Sequence, residues 1–247
     1  AAIAVLNAVT ITAVATVWSI YSGSARDAKY YMPFDVAYIS DGTPGSALDA
    51  SVDGVMDAYG ETPVYDITLA LPRVKIQGAG RAYVVGESQY NATVSAQRSG
   101  HKVSLKSGEA VYTDRAYYDS ARDDLPEYDT IGFAAGDTSF GLKVTDHRED
   151  RIVNQQTVNS VIVVSDGDYG DIAAAAGGDI LYLRGIMLDN PFGAVEMIGE
   201  LDKLVPGPDY HDQSPYEGED REFGSYVFRY KDEFISIGLF LFVELFH

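Results

Sequence analysis

The chain has 247 residues, of which 46% are hydrophobic, so it can bury a full core in one large domain or two small ones. It contains no cysteine, which excludes disulfides, thiol catalysis, zinc fingers and iron–sulfur clusters. Its formal net charge of −19 argues against a nucleic-acid ligand and against docking on anionic lipid headgroups. A negative field attracts cationic ligands and metal ions, although it also keeps a domain soluble without any ligand.

The chain begins with an apolar segment. No Asp, Glu, Lys or Arg occurs in residues 1–25, and about 20 apolar residues suffice to cross a membrane as a helix. Trp18 and Tyr21 lie near the charged boundary, as interfacial aromatic residues do. We therefore predict that residues 1–25 are the end of a transmembrane helix, with residues 1–22 in one continuous helix. A signal or anchor segment and a buried core helix are the alternatives.

A β-α-β unit follows the apolar segment. Residues 34–39 alternate and are rich in aromatic and β-branched side chains, which predicts a strand. Apolar residues then recur at helical spacing over residues 47–59, and Gly60 stands where a C-terminal cap is expected. Residues 64–71 are predicted as the second strand of this unit, which ends at Pro72.

Residues 72–146 have a different pattern, in which short strand-like pieces alternate with Gly, Ser and Asp. This pattern predicts a β-rich insertion with long loops, and the charged run at 119–129 is predicted as one of the loops. The strand-like pieces are RVKI, AYVV, HKVSL and FGLKV. The Gly-rich run at 78–81 lacks the spacing and the lysine of a phosphate loop, so we interpret it as a tight turn. Asn91-Ala92-Thr93 matches a glycosylation acceptor, a triplet that is common by chance.

The alternation of strand and helix then returns. Residues 160–165 are rich in β-branched side chains and are predicted as a strand. Residues 166–176 are predicted as a short helix with an acidic start and glycines at its end. Residues 180–188 are the next predicted strand. Residues 191–204 are predicted as a helix with proline near its start.

These elements predict an α+β fold in which two β-α-β units with internal pseudo-symmetry surround the β-rich insertion. Because crossover connections are short and right-handed, sequential units stack on the same side of a sheet. The helices near 47–59 and 191–204 are therefore expected on a single face. The strands expected to share one sheet are 34–39, 64–71, 160–165 and 180–188.

A second apolar segment ends the chain. The polar tract 209–222 is rich in turn residues and is predicted as a loop. Within residues 234–247 the only charged residue is Glu244, so we predict that residues 232–247 start a second transmembrane helix. The domain between the two segments, residues 26–231, is expected to have both of its ends on one side.

The sequence shows no catalytic motif. The nucleophile motif G-x-S-x-G is absent, and the four histidines are far apart and show no metal-ligand spacing. Asp166 and Asp168 resemble the start of a calcium loop, but the later positions do not fit the EF-hand pattern. An acidic N-terminal cap is predicted there instead. Glu196 and Glu200 are four residues apart on the predicted 191–204 helix, and we interpret them as its solvated face.

Three stretches of the chain resemble a known family. They are the span and first strand TAVATVWSIYSGSARDAKYYMPFDVAYIS, the strand and helix start VIVVSDGDYGDI, and the returning junction FRYKDEFISIGLFLFVELF. Together they resemble the large extracytoplasmic domain of the FtsX-like/MacB-like ABC-transporter permeases. The nearest match is the bacitracin-export or antimicrobial-peptide-resistance branch of Gram-positive bacteria. Residues 72–146 match nothing in that family.

The resemblance implies a permease domain without enzymatic activity or cofactor, located at the cell membrane with residues 26–231 outside the cytoplasm. A separate cytoplasmic ATP-binding subunit would supply the energy. The domain itself would bind or sense an antimicrobial peptide or a lipid-linked substrate. The alternatives from other classes are a membrane-anchored surface enzyme acting on cell-wall polymers and an adhesion module. Two apolar ends favour the permease over an adhesin, because an adhesin needs only one anchor.

The excess of acidic residues favours a cationic ligand, such as a basic antimicrobial peptide. The candidate contacts lie in the acidic, aromatic loop 209–222. Its tyrosines could cover apolar groups while its carboxylates pair with Lys or Arg. The candidate residues are Tyr210, Asp212, Tyr216, Glu217 and Glu219. The alternative is that this tract is merely a solvated loop.

Overall fold

The computed structural model describes nine residue ranges of the chain. They are residues 34–39, 46–77, 80–97, 101–114, 129–148, 152–153, 160–189, 194–204 and 226–227, together with Thr12, Ala15 and Thr16. In chain order, the elements within these ranges are β1 (Val36–Ile39), α1 (Ala47–Tyr59), β2 (Tyr65–Ile76), β3 (Arg81–Gly86), α2 (Glu87–Gln97), β4 (Glu109–Asp114), β5 (Thr130–Ala135), β6 (Thr138–Arg148), β7 (Ser160–Val164), α3 (Asp166–Ala176), β8 (Ile180–Met187), α4 (Val195–Leu204) and β9 (Tyr226–Val227). This content confirms the predicted α+β class.

The first part of the fold is an antiparallel sheet with the strand order β9-β1-β8-β2. Helix α1 lies between β1 and β2 in the chain, and α4 lies between β8 and β9, so each crossover passes over one strand. The two β-α-β units are therefore interleaved in one sheet. This is the order of the split β-α-β, or ferredoxin-like, arrangement.

Helices α1 and α4 cover the same face of this sheet, as predicted. Val52 and Met56 of α1 and Met197 of α4 are buried in one cluster with side chains of β1 and β8. Helix α1 begins with a capping box in which Ser46 and Asp49 bond reciprocally to each other's backbone. It ends at Gly60, whose φ of 67° is the left-handed conformation that glycine adopts without strain.

Strand β2 does not end at Pro72, which corrects the predicted boundary. The backbone N–H of Arg73 donates to the carbonyl of Asp179, which precedes β8. Because alternate residues of a strand point their backbone groups to opposite sides, the N–H that Pro72 lacks would have pointed away from β8. The strand therefore continues through Pro72 without losing a bond to β8.

The second part of the fold is a six-stranded barrel. Residues 73–75 of β2 pair with β3 on one side, and residues 75–76 pair with β5 on the other. The ladder β3-β7-β4-β6-β5 closes the ring. The barrel interior holds a single apolar cluster that includes Val84, Phe133 and Ile162. Ile172 and Ala176 of α3 belong to the same cluster, so α3 packs against the barrel core.

The observed topology differs from the prediction in four details. All nine described strands form one continuous hydrogen-bonded array, but strand 160–165 (β7) lies in the barrel. The second crossover unit is therefore β8-α4-β9, and not the predicted unit of residues 160–188. The insertion also contains helix α2, which the sequence analysis missed. The predicted strand HKVSL has no regular secondary structure in the described residues 101–106.

The predicted membrane spans fall almost wholly outside the described residues. In the part of the chain that the structure describes, no helix is long and apolar enough to cross a membrane. Thr12, Ala15 and Thr16 are helical, and the Thr16 hydroxyl donates to the Thr12 carbonyl at 2.8 Å. Residues 119–128 of the predicted loop and the predicted segment 232–247 lie outside the described residues.

Candidate functional site

The candidate site is built from residues that the sequence analysis did not select. Loop 209–222, with the predicted ligand contacts Tyr210, Asp212, Tyr216, Glu217 and Glu219, lies outside the described residues. Within the described part of the chain, no group of three or more His, Cys, Asp or Glu side chains could hold a metal ion.

Arg184 is the central residue of the site. It lies in β8 on the sheet face that α1 and α4 cover, because Ile186, two residues further along the strand, packs in the cluster of those helices. Only 8% of Arg184 is exposed. Burying a guanidinium is costly unless it is paired and hydrogen-bonded, so its partners determine whether this position is stable.

Four residues bind the Arg184 guanidinium. Asp66 of β2 binds it bidentately, with Nε at 3.0 Å from Oδ1 and Nη2 at 2.6 Å from Oδ2. Asp53 of α1 accepts from Nη2 at 2.6 Å. Nη1 lies 3.2 Å from the Tyr38 hydroxyl, 3.4 Å from the Asp49 carbonyl and 3.9 Å from Asp49 Oδ1. The guanidinium thus ties α1 to three strands of the sheet.

The charges of this group do not cancel. It contains three carboxylates and one guanidinium, so its formal charge is −2. The side chain of Asp49 is 6% exposed, whereas those of Asp66 and Asp53 are 29% and 52% exposed. The excess negative charge therefore faces solvent at the β2 side of the sheet. We call Tyr38, Asp49, Asp53, Asp66 and Arg184 the Arg184 cluster.

Burial and hydrogen bonds fix the protonation states of Arg184 and Tyr38. Hydrogen bonds to Asp66 outweigh burial and raise the pKa of Arg184, which stays charged. Burial and the hydrogen bond to Asp49 raise the pKa of Tyr38, so its hydroxyl remains a donor. That hydroxyl donates to Asp49 Oδ1 at 2.6 Å, while Asp49 Oδ2 accepts from the Ser46 backbone at 3.0 Å. Asp49 therefore takes part in both the Arg184 cluster and the capping box of α1.

A second polar group surrounds the start of α3. Ser165 is the N-cap, and Asp166 and Asp168 lie in the first turn, which confirms the predicted acidic cap. Asp168 accepts from the Ser107 hydroxyl at 2.7 Å, from the Gly108 N–H at 2.9 Å and from the Ser165 hydroxyl at 2.8 Å. Both carboxylate oxygens are thus used to join α3 to the turn before β4. This group is structural.

Asp168 makes the stability of the protein depend on pH. Burial raises the pKa of Asp168, but the bonds from Ser107, Gly108 and Ser165 outweigh it and hold the pKa below the ordinary 3.8. A carboxyl whose pKa is lower in the folded than in the unfolded state stabilises the fold above its ordinary pKa. That contribution is lost as the pH falls from about 4 toward the lower folded-state pKa.

We therefore expect the free energy of unfolding to fall less steeply with acidification below pH 4 in Asp168→Asn than in the wild type. Urea denaturation at a series of pH values measures this slope. Asp171→Asn is the matched control, because Asp171 is exposed on the same helix. Parallel pH profiles for the wild type and Asp168→Asn would contradict the assignment.

The glycosylation triplet and the glutamate pair from the sequence analysis also lie in described helices. Asn91 lies in α2, where its side chain donates to the Val103 carbonyl at 2.9 Å and accepts from the Val103 N–H at 2.8 Å. Because both ends of the amide are occupied and Thr93 is fully buried, the triplet does not present a glycosylation acceptor. Glu196 and Glu200 are exposed on α4, as predicted.

Comparisons with known proteins do not identify a family or a function for this chain. The sequence matches no protein-family profile, and no curated protein matches it. Among solved structures, it is similar to a chain described as "Putative Lipoprotein from Bacillus anthracis". The TM-score is 0.37 and the sequence identity 8%, over 65% of this chain and 90% of that chain. A similarity at this level does not indicate a function.

Proposed function

We propose that this chain is an extracytoplasmic binding or sensing domain of an ABC-transporter permease, held at the cell membrane by an apolar segment at each end. The observation that supports this proposal most strongly is the pairing of β1 with β9. These strands are antiparallel, and Val36 lies opposite Val227. The described part of the domain therefore begins and ends at the same end of the sheet.

The shared position of the two domain ends is compatible with a membrane span before β1 and another after β9. Directly opposite residues in an antiparallel pair are about 5 Å apart. The charge-free residues 1–25 precede Val36 by only a short stretch, and the apolar residues 234–247 follow Val227 closely. Both apolar segments are thus connected to one end of the domain. A domain inserted between two spans needs this geometry, whereas a domain on one anchor does not.

The negative charge of the chain supports a cationic ligand. A net charge of −19 attracts cations, and the Arg184 cluster places the partly exposed carboxylates of Asp53 and Asp66 at the side of the sheet. A basic antimicrobial peptide suits these charges better than an anionic lipid-linked substrate. The resemblance to the permeases adds a cytoplasmic ATP-binding subunit as the partner that would supply energy, while this chain binds.

The absence of cysteine allows a direct test of topology. Ser51 of α1 and Asp171 of α3 are exposed, so Ser51→Cys and Asp171→Cys each introduce one accessible thiol. In intact bacterial cells, a membrane-impermeant maleimide is expected to label both variants, and the labelled chain should stay in the carbonate-washed membrane fraction. The cysteine-free wild type is the control for background.

Two outcomes would contradict parts of the proposal separately. Labelling only after permeabilisation would put the domain in the cytoplasm. Extraction into the carbonate wash would show that the apolar segments do not span the membrane. The permease class is tested by purifying the tagged, crosslinked chain from its native membranes, where an ABC-type ATP-binding subunit is expected to co-purify. Its absence would remove the transporter assignment but not the topology.

A further inference from the structure

The two sides of β2 have different neighbours along its length. Backbone groups of its odd-numbered residues point toward β8, as the Arg73 N–H donating to Asp179 shows. Groups of its even-numbered residues point to the other side, where the Ile76 N–H donates to the Gly80 carbonyl next to β3. Strand β3 pairs only with residues 73–75 of β2. On the β3 side, the first half of β2 therefore has no neighbouring strand among the described residues.

We call the backbone N–H and C=O groups of Asp66, Thr68 and Ala70, which point away from β8, the open edge of β2. The Ala70 carbonyl accepts the hydroxyl of Tyr169 at 2.7 Å, and this bond marks where the open edge ends. Among the described residues, no group bonds the N–H and C=O of Asp66 and Thr68 or the N–H of Ala70. The side chain of Asp66 is 29% exposed, but the residue as a whole is more exposed than its side chain. The backbone of Asp66 is therefore open to solvent.

The surroundings of the open edge are acidic and partly apolar. Asp66 is one of the edge residues, and Asp53 of α1 approaches the same Arg184 nitrogen as Asp66. The Arg184 cluster thus holds its excess negative charge beside the edge. Val64, which precedes β2 and donates its N–H to Met187 of β8, has a side chain next to the edge and is 58% exposed. Tyr169 lies partly buried at the other end of the edge. An unpaired strand edge with these side chains can bind a peptide backbone and basic side chains together.

We propose that the open edge of β2 binds an extended basic peptide by β-strand addition. The peptide backbone bonds Asp66, Thr68 and Ala70, and its Lys or Arg side chains on the α1 face meet Asp53 and Asp66. This inference rests on the proposed peptide-binding role and assigns it a surface. A second copy of this chain fits less well, because two β2 edges side by side would bring like charges together.

The test uses the full 247-residue chain in detergent and a capped hexapeptide of alternating Lys and Val. Calorimetric titration is expected to show binding that weakens as salt rises, since exposed charges are screened over about 10 Å at 0.1 M. The same peptide N-methylated at every second backbone nitrogen cannot complete the ladder. Its affinity is expected to be at least about tenfold lower, because several backbone bonds are lost.

Two substitutions locate the binding surface. Thr68→Pro removes an outward N–H without removing a bond to β8, and should lower the affinity for the unmodified peptide about tenfold. Near-ultraviolet circular dichroism verifies that this variant is folded. If it is not folded, the comparison of the N-methylated and unmodified peptides on the wild type tests strand addition instead. Asp53→Asn should weaken binding mainly at low salt. Asp137→Asn removes the same charge from the exposed β5–β6 turn and should leave binding unchanged.

Each outcome supports or overturns a distinct claim. Equal affinity for the N-methylated and unmodified peptides would overturn strand addition while leaving cationic-peptide binding in place. If no basic peptide binds even at low salt, the peptide-binding role itself fails. A dimer of the wild type that Thr68→Pro converts to a monomer would show that a second copy occupies the edge, which also overturns the inference.

Discussion

Replacing Gly136 by alanine is expected to lower the free energy of unfolding by about 3 kcal/mol. Gly136 and Asp137 form the two-residue turn between β5 and β6, and Gly136 has a φ of 53°. A Cβ there would lie 2.5 Å from the backbone carbonyl oxygen of Ala175 in α3. The substitution combines left-handed strain of about 1–2 kcal/mol with overpacking of about 1–3 kcal/mol against atoms that cannot rotate away. Urea denaturation measures the loss.

Gly60→Ala is the matched control for this prediction. Gly60 has a similar φ of 67°, but nothing lies within 4 Å of the position that its Cβ would take. It should therefore cost only the backbone strain, about 1 kcal/mol. If the two variants lose the same stability, the β5–β6 turn does not pack against α3 as the structure places it, and the end of the barrel is more open than described.

Local signals in the sequence predicted the individual elements well. The helix expected at 166–176 has those bounds in the structure, because a serine cap and a glycine at the other end are encoded next to it. The predicted helix 47–59 agrees with α1 for the same reason, through Ser46 and Gly60. Each of these signals depends only on residues within one or two turns.

Helix α2 and the barrel were missed for a different reason. The α2 sequence ESQYNATVSAQ is mostly polar and buries only Tyr90, Thr93 and Val94, so it has no clear amphipathic stripe. Pro72 usually indicates the end of a strand, but here its missing N–H falls on the side away from β8. The closure of the barrel depends on which distant strands pair, which single-strand patterns do not encode.

One feature of the sequence does indicate the Arg184 cluster. Arg184 is the only charged residue within the apolar stretch ILYLRGIML, and a charge in a buried strand requires partners. Those partners could not be read from spacing, because Asp66 and Asp53 lie 118 and 131 residues away. The split β-α-β topology brings them together, so the cluster can be identified only once the sheet order is known.

Replacing Arg184 by methionine is expected to lower the free energy of unfolding by about 3–5 kcal/mol. Methionine has a similar length and suits an apolar site, but it removes the guanidinium that contacts the carboxylates of Asp49, Asp53 and Asp66. Removing one partner of a buried ion pair leaves the other charges uncompensated, and this cost exceeds the worth of the pair itself. Urea denaturation of the full chain at pH 7 measures the loss.

Two further variants separate charge from packing at this position. Arg184→Lys keeps the charge but cannot bind Asp66 bidentately and reach Asp53 at once, so an intermediate loss is expected. Asp66→Asn in the Arg184→Met background removes one uncompensated carboxylate and should restore part of the stability. The cycle of Arg184→Met, Asp66→Asn and the double variant then measures their coupling. If the two single losses simply add in the double variant, Arg184 and Asp66 do not stabilise the fold as a pair, and the excess negative charge beside β2 must be explained without this cluster.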